Sequence, residues 1–103
     1  MPHDRWSEAE LRCTLLWRLA RRHGWANWIP VDDLVGAVPT HERGRAREVL
    51  ENLRRSPLTE HRRGRGFKLA HSRVDALAKV LREDCGYGAF RIEATLSHFE
   101  GFD

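Results

Sequence analysis

Cysteine is scarce in this chain. The two that occur, Cys13 and Cys85, stand far apart and in no CxxC pair. Such spacing makes a disulfide framework unexpected and points to a reducing cytoplasm, although one Cys–Cys bond stays open in principle. Long apolar runs are missing as well. No stretch approaches the roughly 18 apolar residues that a membrane span needs, and the opening Met1-Pro2-His3-Asp4-Arg5-Trp6 has no apolar segment of the secretory kind. Lysine is nearly absent: only Lys68 and Lys79 among 18 basic residues are lysine, a bias that fits a GC-rich genome as readily as a function. Internal repeats, low-complexity tracts, G-x-S-x-G, H-E-x-x-H, P-loop and Rossmann glycine runs are all missing. No enzyme, catalytic residue or cofactor is therefore expected. Cys85 and His98 are isolated as ligands, without CxxC or HxxxH, so no metal site is expected either.

What remains describes one ordinary globular domain. At 103 residues the chain is near the modal domain length, and a chain of this size buries enough surface to fold without staples. Its mean hydropathy of −0.61 is that of a soluble globule rather than a disordered tail. The net charge is only +3, so its placement matters more than its size.

The pattern along the chain predicts alternating short elements. Ser7-Glu8-Ala9-Glu10 is a capping box, from which a helix should run to about His23, with Gly24 at the left-handed C′ position. Its apolar residues form two stripes, Leu11/Leu15/Leu19 and Ala9/Cys13/Leu16/Ala20 with Trp17 alongside. A surface helix needs one stripe, so this helix should be buried on two sides. The segment Trp25 to Ile29 reads as a turn and a short strand closed by Pro30. Val31 to Val38 has helical spacing with Asp32 and Asp33 in the first turn, where the dipole favours acids. Pro39 stops it, and Thr40 caps a helix from Thr40 to Arg55 with the core stripe Ala46, Val49, Leu50 and Leu53. Leu58 to Ala70 predicts a hairpin turning at Arg63-Gly64-Arg65-Gly66. Ser72-Arg73-Val74-Asp75 predicts a capped fourth helix, with Val74, Leu77, Ala78 and Leu81 inward and Gly86 at its end. Over 90–97 the alternation of Phe90, Ile92, Ala94 and Leu96 with polar residues predicts a strand, although Ile92, Leu96 and Phe99 also fit a helix.

This order of elements resembles the winged helix-turn-helix superfamily of DNA-binding domains, of the small prokaryotic transcriptional regulator type. The resemblance rests on Asp33-Leu34-Val35-Gly36-Ala37-Val38, on Arg47-Glu48-Val49-Leu50-Glu51-Asn52-Leu53-Arg54-Arg55, and on Arg63-Gly64-Arg65-Gly66-Phe67-Lys68-Leu69. It implies an α+β, mainly α fold: helix, short strand, helix, helix, two-stranded wing, helix. The domain would cover residues 1–85, with a C-terminal extension over 86–103. Helix 40–55 would enter the major groove of double-stranded DNA, and the wing over 62–68 would lie on the backbone or in the minor groove.

Charge placement agrees with that expectation. Between Thr40 and Lys68 nine basic residues stand against four acids, a net of +5, and the rest of the chain nets −2. Basic surface attracts phosphate and steers association. The candidate DNA-binding residues are Thr40, His41, Arg43, Gly44, Arg45 and Arg47 on the helix, and Arg62, Arg63, Arg65 and Lys68 on the wing. Arginine is the usual reader of guanine in the major groove. Gly44 leaves room for close backbone approach, and Arg63 and Arg65 suit a narrow minor groove. Glu48 and Glu51 on the same helix face oppose phosphate, which places the bound part in the first two turns, Thr40 to Arg47. The four tryptophans fall outside the basic segment and are expected in the core or an interface. Two-sided burial of helix 1 suggests a homodimer through helix 1, helix 4 or the extension, unless the tail covers helix 1 of its own chain. A dimer would read a pseudo-palindromic site. The expected setting is cytoplasmic and nucleoid-associated, with no membrane. The alternatives are a winged-helix protein–protein interaction module and RNA binding.

Overall fold

The computed structural model describes residues 5–22, 24 and 26–96, and for His71 the backbone alone. The architecture is α+β and mainly helical, with one two-stranded antiparallel sheet. Helix α1 (Glu8–Arg21) begins at the capping box. The Glu10 N–H donates to the Ser7 hydroxyl (3.0 Å) and the Ser7 N–H donates to the Glu10 carboxylate (3.1 Å), so two orphan donors are satisfied at once. Both stripes are buried except Ala9, which is exposed. At the other end Arg22 is the C-cap. Gly24 therefore falls at C″ rather than C′, where its N–H donates to the Leu19 carbonyl (2.8 Å). His23 and Trp25, which carry part of the expected helix end and turn, lie outside the described residues.

Helix α2 is Val31–Val35, shorter than the expected span to Val38. Beyond it the chain tightens into three-residue turns, with Ala37 N–H donating to Leu34 and Val38 N–H to Val35. Arg18 donates to Asp33 through Nε (3.1 Å) and Nη2 (2.9 Å), and Arg22 approaches the same carboxylate at 3.4 Å. These contacts fix α2 against the end of α1. Pro39 then opens a 3-10 turn, Thr40–Glu42, and helix α3 proper is Arg43–Leu53. The expected helix 40–55 is thus shorter at both ends. Thr40 makes no capping bond, and Glu42 occupies the N-cap position. The core stripe of α3 is as the spacing predicts: Ala46, Val49, Leu50 and Leu53 are all buried.

Strands β1 (Thr59–Arg62) and β2 (Gly66–Leu69) pair with Thr59 opposite Leu69 and Arg62 opposite Gly66. Paired residues share a face, so Thr59, Phe67 and Leu69 are buried while Glu60, Arg62 and Lys68 lie on the other side. The Thr59 hydroxyl donates to the Leu53 carbonyl, which ties the hairpin to the end of α3. The short strand expected before Pro30 is a single bridge, Ile29 to Phe67, with hydrogen bonds of 2.8 and 2.9 Å.

Helix α4 (Val74–Glu83) follows a 3-10 turn at His71–Arg73. The capping box expected at Ser72 does not form, because the turn places Arg73 at the N-cap and no side chain caps the helix. Gly86, at φ +75°, ends the segment as expected. The strand predicted over 90–97 is instead helix α5 (Ala89–Leu96). An unpaired strand would leave its backbone groups unsatisfied, whereas a helix satisfies them internally. One turn of helix also places Ile92 and Leu96 together in the core. Residues 97–103, including Ser97, His98 and Phe99, lie outside the described residues.

The core joins all of these elements. Leu11, Leu15, Leu16, Leu19, Leu34 and Leu81 have no exposed surface at all, and each such side chain contributes about 1.5–3 kcal/mol on burial. The second apolar side of α1 is covered by its own chain: Tyr87 stacks on Trp17 at 4.3 Å, and Arg91 lies over both rings at 5.1 and 5.2 Å. The two-sided burial of α1 is therefore met without a second subunit. Cys13 and Cys85 are disulfide-bonded, with Cα atoms 5.6 Å apart. This is the bond that the cysteine spacing left open. Disulfides persist in oxidising surroundings and are reduced in a thiol-rich cytosol, so the state of this bond follows the compartment. Among the described residues no helix is long and apolar enough to cross a membrane.

Candidate nucleic-acid interface

Helix α3 and the hairpin flank a groove of about 390 Å³, lined by the apolar Val31, Leu50 and Phe67 and by Arg47, Glu48, Glu51, Arg54 and His61, with Arg54 donating to Glu51 at 2.9 Å. On the α3 side, Thr40, His41, Arg43, Gly44 and Arg47 are exposed, as are Glu48 and Glu51. A Cβ on Gly44 would meet nothing within 4 Å, so nothing inside the molecule requires glycine there. Arg47 donates to Asp32 at 3.0 Å, but both side chains are more than half exposed. Such a pair contributes about 0–1 kcal/mol, and a phosphate can compete for the guanidinium.

Arg45 is placed differently from its neighbours. It turns inward, donating to the Trp6 carbonyl and to Glu42 Oε1 (2.8 Å). Glu42 is buried and also accepts the Trp6 N–H at 3.1 Å, with His41 Nε2 4.0 Å away. This knot fastens the segment ahead of α1 to the start of α3, so Arg45 acts as a brace rather than as part of the exposed face. The Trp6 N–H, and behind it Arg45, hold the Glu42 carboxyl below its ordinary value of 4.5, against the opposite pull of burial. A depressed carboxyl stabilises the fold above its unfolded value, and that contribution is lost as pH falls through the native one. Glu42→Gln is therefore expected to melt below the parent at neutral pH, with the gap closing as pH falls below 4.5. Calorimetry across that range checks it. A gap that stays constant into acid would remove the carboxylate charge as the cause.

The hairpin side is more uniformly basic. Its tip, Arg63-Gly64-Arg65, turns about Gly64 at φ +83° and exposes both arginines. Among the described residues neither has an acidic partner. Behind the tip, Arg62 and Lys68 lie over the Trp28 ring, 5.7 and 5.6 Å from its centroid. The structure thus brings Arg62, Arg63, Arg65 and Lys68 together on one hairpin, faces Thr40, Arg43 and Arg47 outward beside it, and withdraws Arg45.

Of the tryptophans expected in the core or an interface, Trp17 is in the core and Trp6 packs against it, while Trp28 belongs to neither group and lies half-buried at the surface. It stands next to the bridging Ile29, and strand alternation turns it to the basic side of the hairpin. No family model matches the chain, and neither a curated protein nor a solved structure matches it.

Proposed function

We propose that the chain is a winged helix-turn-helix module that binds double-stranded DNA, as a transcriptional regulator does. In this reading α3 lies in the major groove and the β1–β2 wing rests on the backbone or in the minor groove. The order of α2, α3 and the hairpin supports it, and the open space at Gly44 lets the α3 backbone come close to a duplex. The observation that carries the reading is the wing. Two exposed arginines sit at a glycine-turned tip, with two further cations behind them and only Glu60 as an acid on either strand. Such a surface neutralises phosphates and releases counterions. Arg43 and Arg47 on α3, with Thr40 and His41 on the turn before it, are the contributors on that side, while Arg45 supports them from within.

Anisotropy titrations with a labelled duplex at several salt concentrations test the proposal. Binding should be tight at low salt, with log K falling linearly in log salt. The double variant Arg63→Ala/Arg65→Ala should reduce that slope by about two and weaken binding roughly 30-fold, at about 1 kcal/mol for each exposed charge contact. Absence of binding at low salt, or equal binding by the double variant, sinks the reading. Glu48 and Glu51, exposed on the α3 face, favour a second one: a winged-helix module that docks a protein through α3. A well-folded chain that binds no duplex, but loses a partner protein on Glu48→Lys, is the outcome that selects it.

A further inference from the structure

Tryptophan stabilises a fold by burying its large ring, yet Trp28 lies outside the core cluster and does not pack against it. Its indole is half-buried on the solvent side of the wing, and the charges of Arg62 and Lys68 rest over it. Its position is held firmly. Ile29, the next residue, exchanges both backbone hydrogen bonds with Phe67, which fixes the Trp28 backbone against the edge of β2. The two cation–π contacts contribute about 0.5–1 kcal/mol each, less than a fully buried indole would, so stability alone is a weak reason for a tryptophan here.

An aromatic face framed by two cations matches one ligand chemistry closely: a nucleotide, whose base is a flat π-surface and whose flanking phosphates are anionic. Every base has such a face, so stacking on a side chain is tolerant of sequence. Inside a duplex those faces are covered by neighbouring base pairs. We infer that Trp28, Arg62 and Lys68 form a stacking site for an unpaired base, so that the favoured ligand is duplex DNA continued by a single-stranded segment. This inference rests on the DNA-binding reading and deepens it. Arg63 and Arg65 at the tip hold the duplex, while the first unpaired base beyond it lies on the Trp28 indole. Arg62 and Lys68 exchange the ring for the phosphates on either side of that base.

The test uses the whole chain and three ligands: a blunt duplex, the same duplex with a short thymidine extension, and the same duplex with an abasic extension of equal length. The thymidine extension should tighten binding roughly tenfold over the abasic one, in line with base–aromatic stacking elsewhere. The abasic extension supplies the phosphates without the base, so its tightening over the blunt duplex measures the share of Arg62 and Lys68 alone. Trp28→Ala should lose the gain of thymidine over abasic and keep the blunt-duplex affinity, while Trp28→Phe keeps part of that gain. Equal binding of the thymidine and abasic extensions overturns the inference, and that comparison needs no variant to fold. A thymidine gain that survives in Trp28→Ala overturns it too. If no ligand binds at low salt, the DNA-binding reading itself fails. If the blunt duplex binds and the extension adds nothing, only the stacking site fails.

Discussion

Breaking the Cys13–Cys85 bond is expected to lower the melting temperature by roughly 20 °C. The two cysteines are 72 residues apart, so the bond closes most of the chain into one loop. In the chain-entropy account, removing it returns about 4 kcal/mol of freedom to the unfolded state. For a domain of about 100 residues each kcal/mol moves the midpoint by about 4–8 °C. Calorimetry with and without excess dithiothreitol, and on Cys13→Ser/Cys85→Ser, measures the drop. Both routes should agree, because each removes the same link. A fall of only a few degrees would show that Tyr87, Ile92 and Leu96 hold the 85–96 segment on α1 without the bond. The linkage is also separable from the basic face. Cys13 and Trp17 point to the opposite side of α1 from Leu11 and Leu15, toward Tyr87. Duplex affinity, measured well below either midpoint, should therefore be the same in the oxidised and disulfide-free chains. In a thiol-rich cytosol the chain would work as the dithiol, and the same experiment measures how much stability it keeps there.

The distances along the chain explain which features were legible in the sequence. The Ser7 capping box joins residues three apart, the α3 stripe recurs every three or four, and the hairpin announces itself through Gly64 and Gly66 in a run of arginines. Each is decided by neighbours, so the local pattern sufficed. The features that escaped join residues far apart. The Trp6 N–H meets Glu42 across 36 positions, and Arg45 meets the Trp6 carbonyl across 39. Arg45 reads from its position as an exposed cation, but a buried carboxylate and a carbonyl from the start of the chain claim it. Trp28 escaped because its face depends on Ile29 bridging Phe67, a pairing that one short strand cannot announce. The tail shows the same limit in another form. Phe90, Ile92, Ala94 and Leu96 satisfy a period of two, but a strand needs a partner, and a helix needs only the core side that Ile92 and Leu96 already supply. The basic character of the hairpin was fully legible, because it depends on composition and one turn.

Within that hairpin, two glycines with positive φ should respond very differently to alanine. Gly64, at φ +83°, has nothing within 4 Å of where a Cβ would stand. Gly64→Ala therefore meets only the left-handed backbone penalty, about 1 kcal/mol. Gly66, at φ +106°, lies against the Ile29–Pro30 backbone, and a Cβ there would sit 2.0 Å from the Ile29 carbonyl oxygen and 2.8 Å from Pro30 Cα. Neither obstacle is a flexible side chain. The strained backbone and the displaced neighbour together should cost about 3–4 kcal/mol. The shift must also open the Ile29–Phe67 bridge and carry Trp28 away from Lys68. Urea midpoints of the parent, Gly64→Ala and Gly66→Ala give the comparison. Equal losses in the two variants would show that Ile29 does not approach β2 as closely as the structure has it. The pair also separates charge from shape in the proposed function, because neither substitution alters the number of cations. If charge alone held DNA, both variants would bind like the parent at low salt while folded. With the wing geometry required, Gly66→Ala loses affinity and Gly64→Ala keeps most of it, since only Gly66 holds the basic strands against the Ile29–Pro30 backbone.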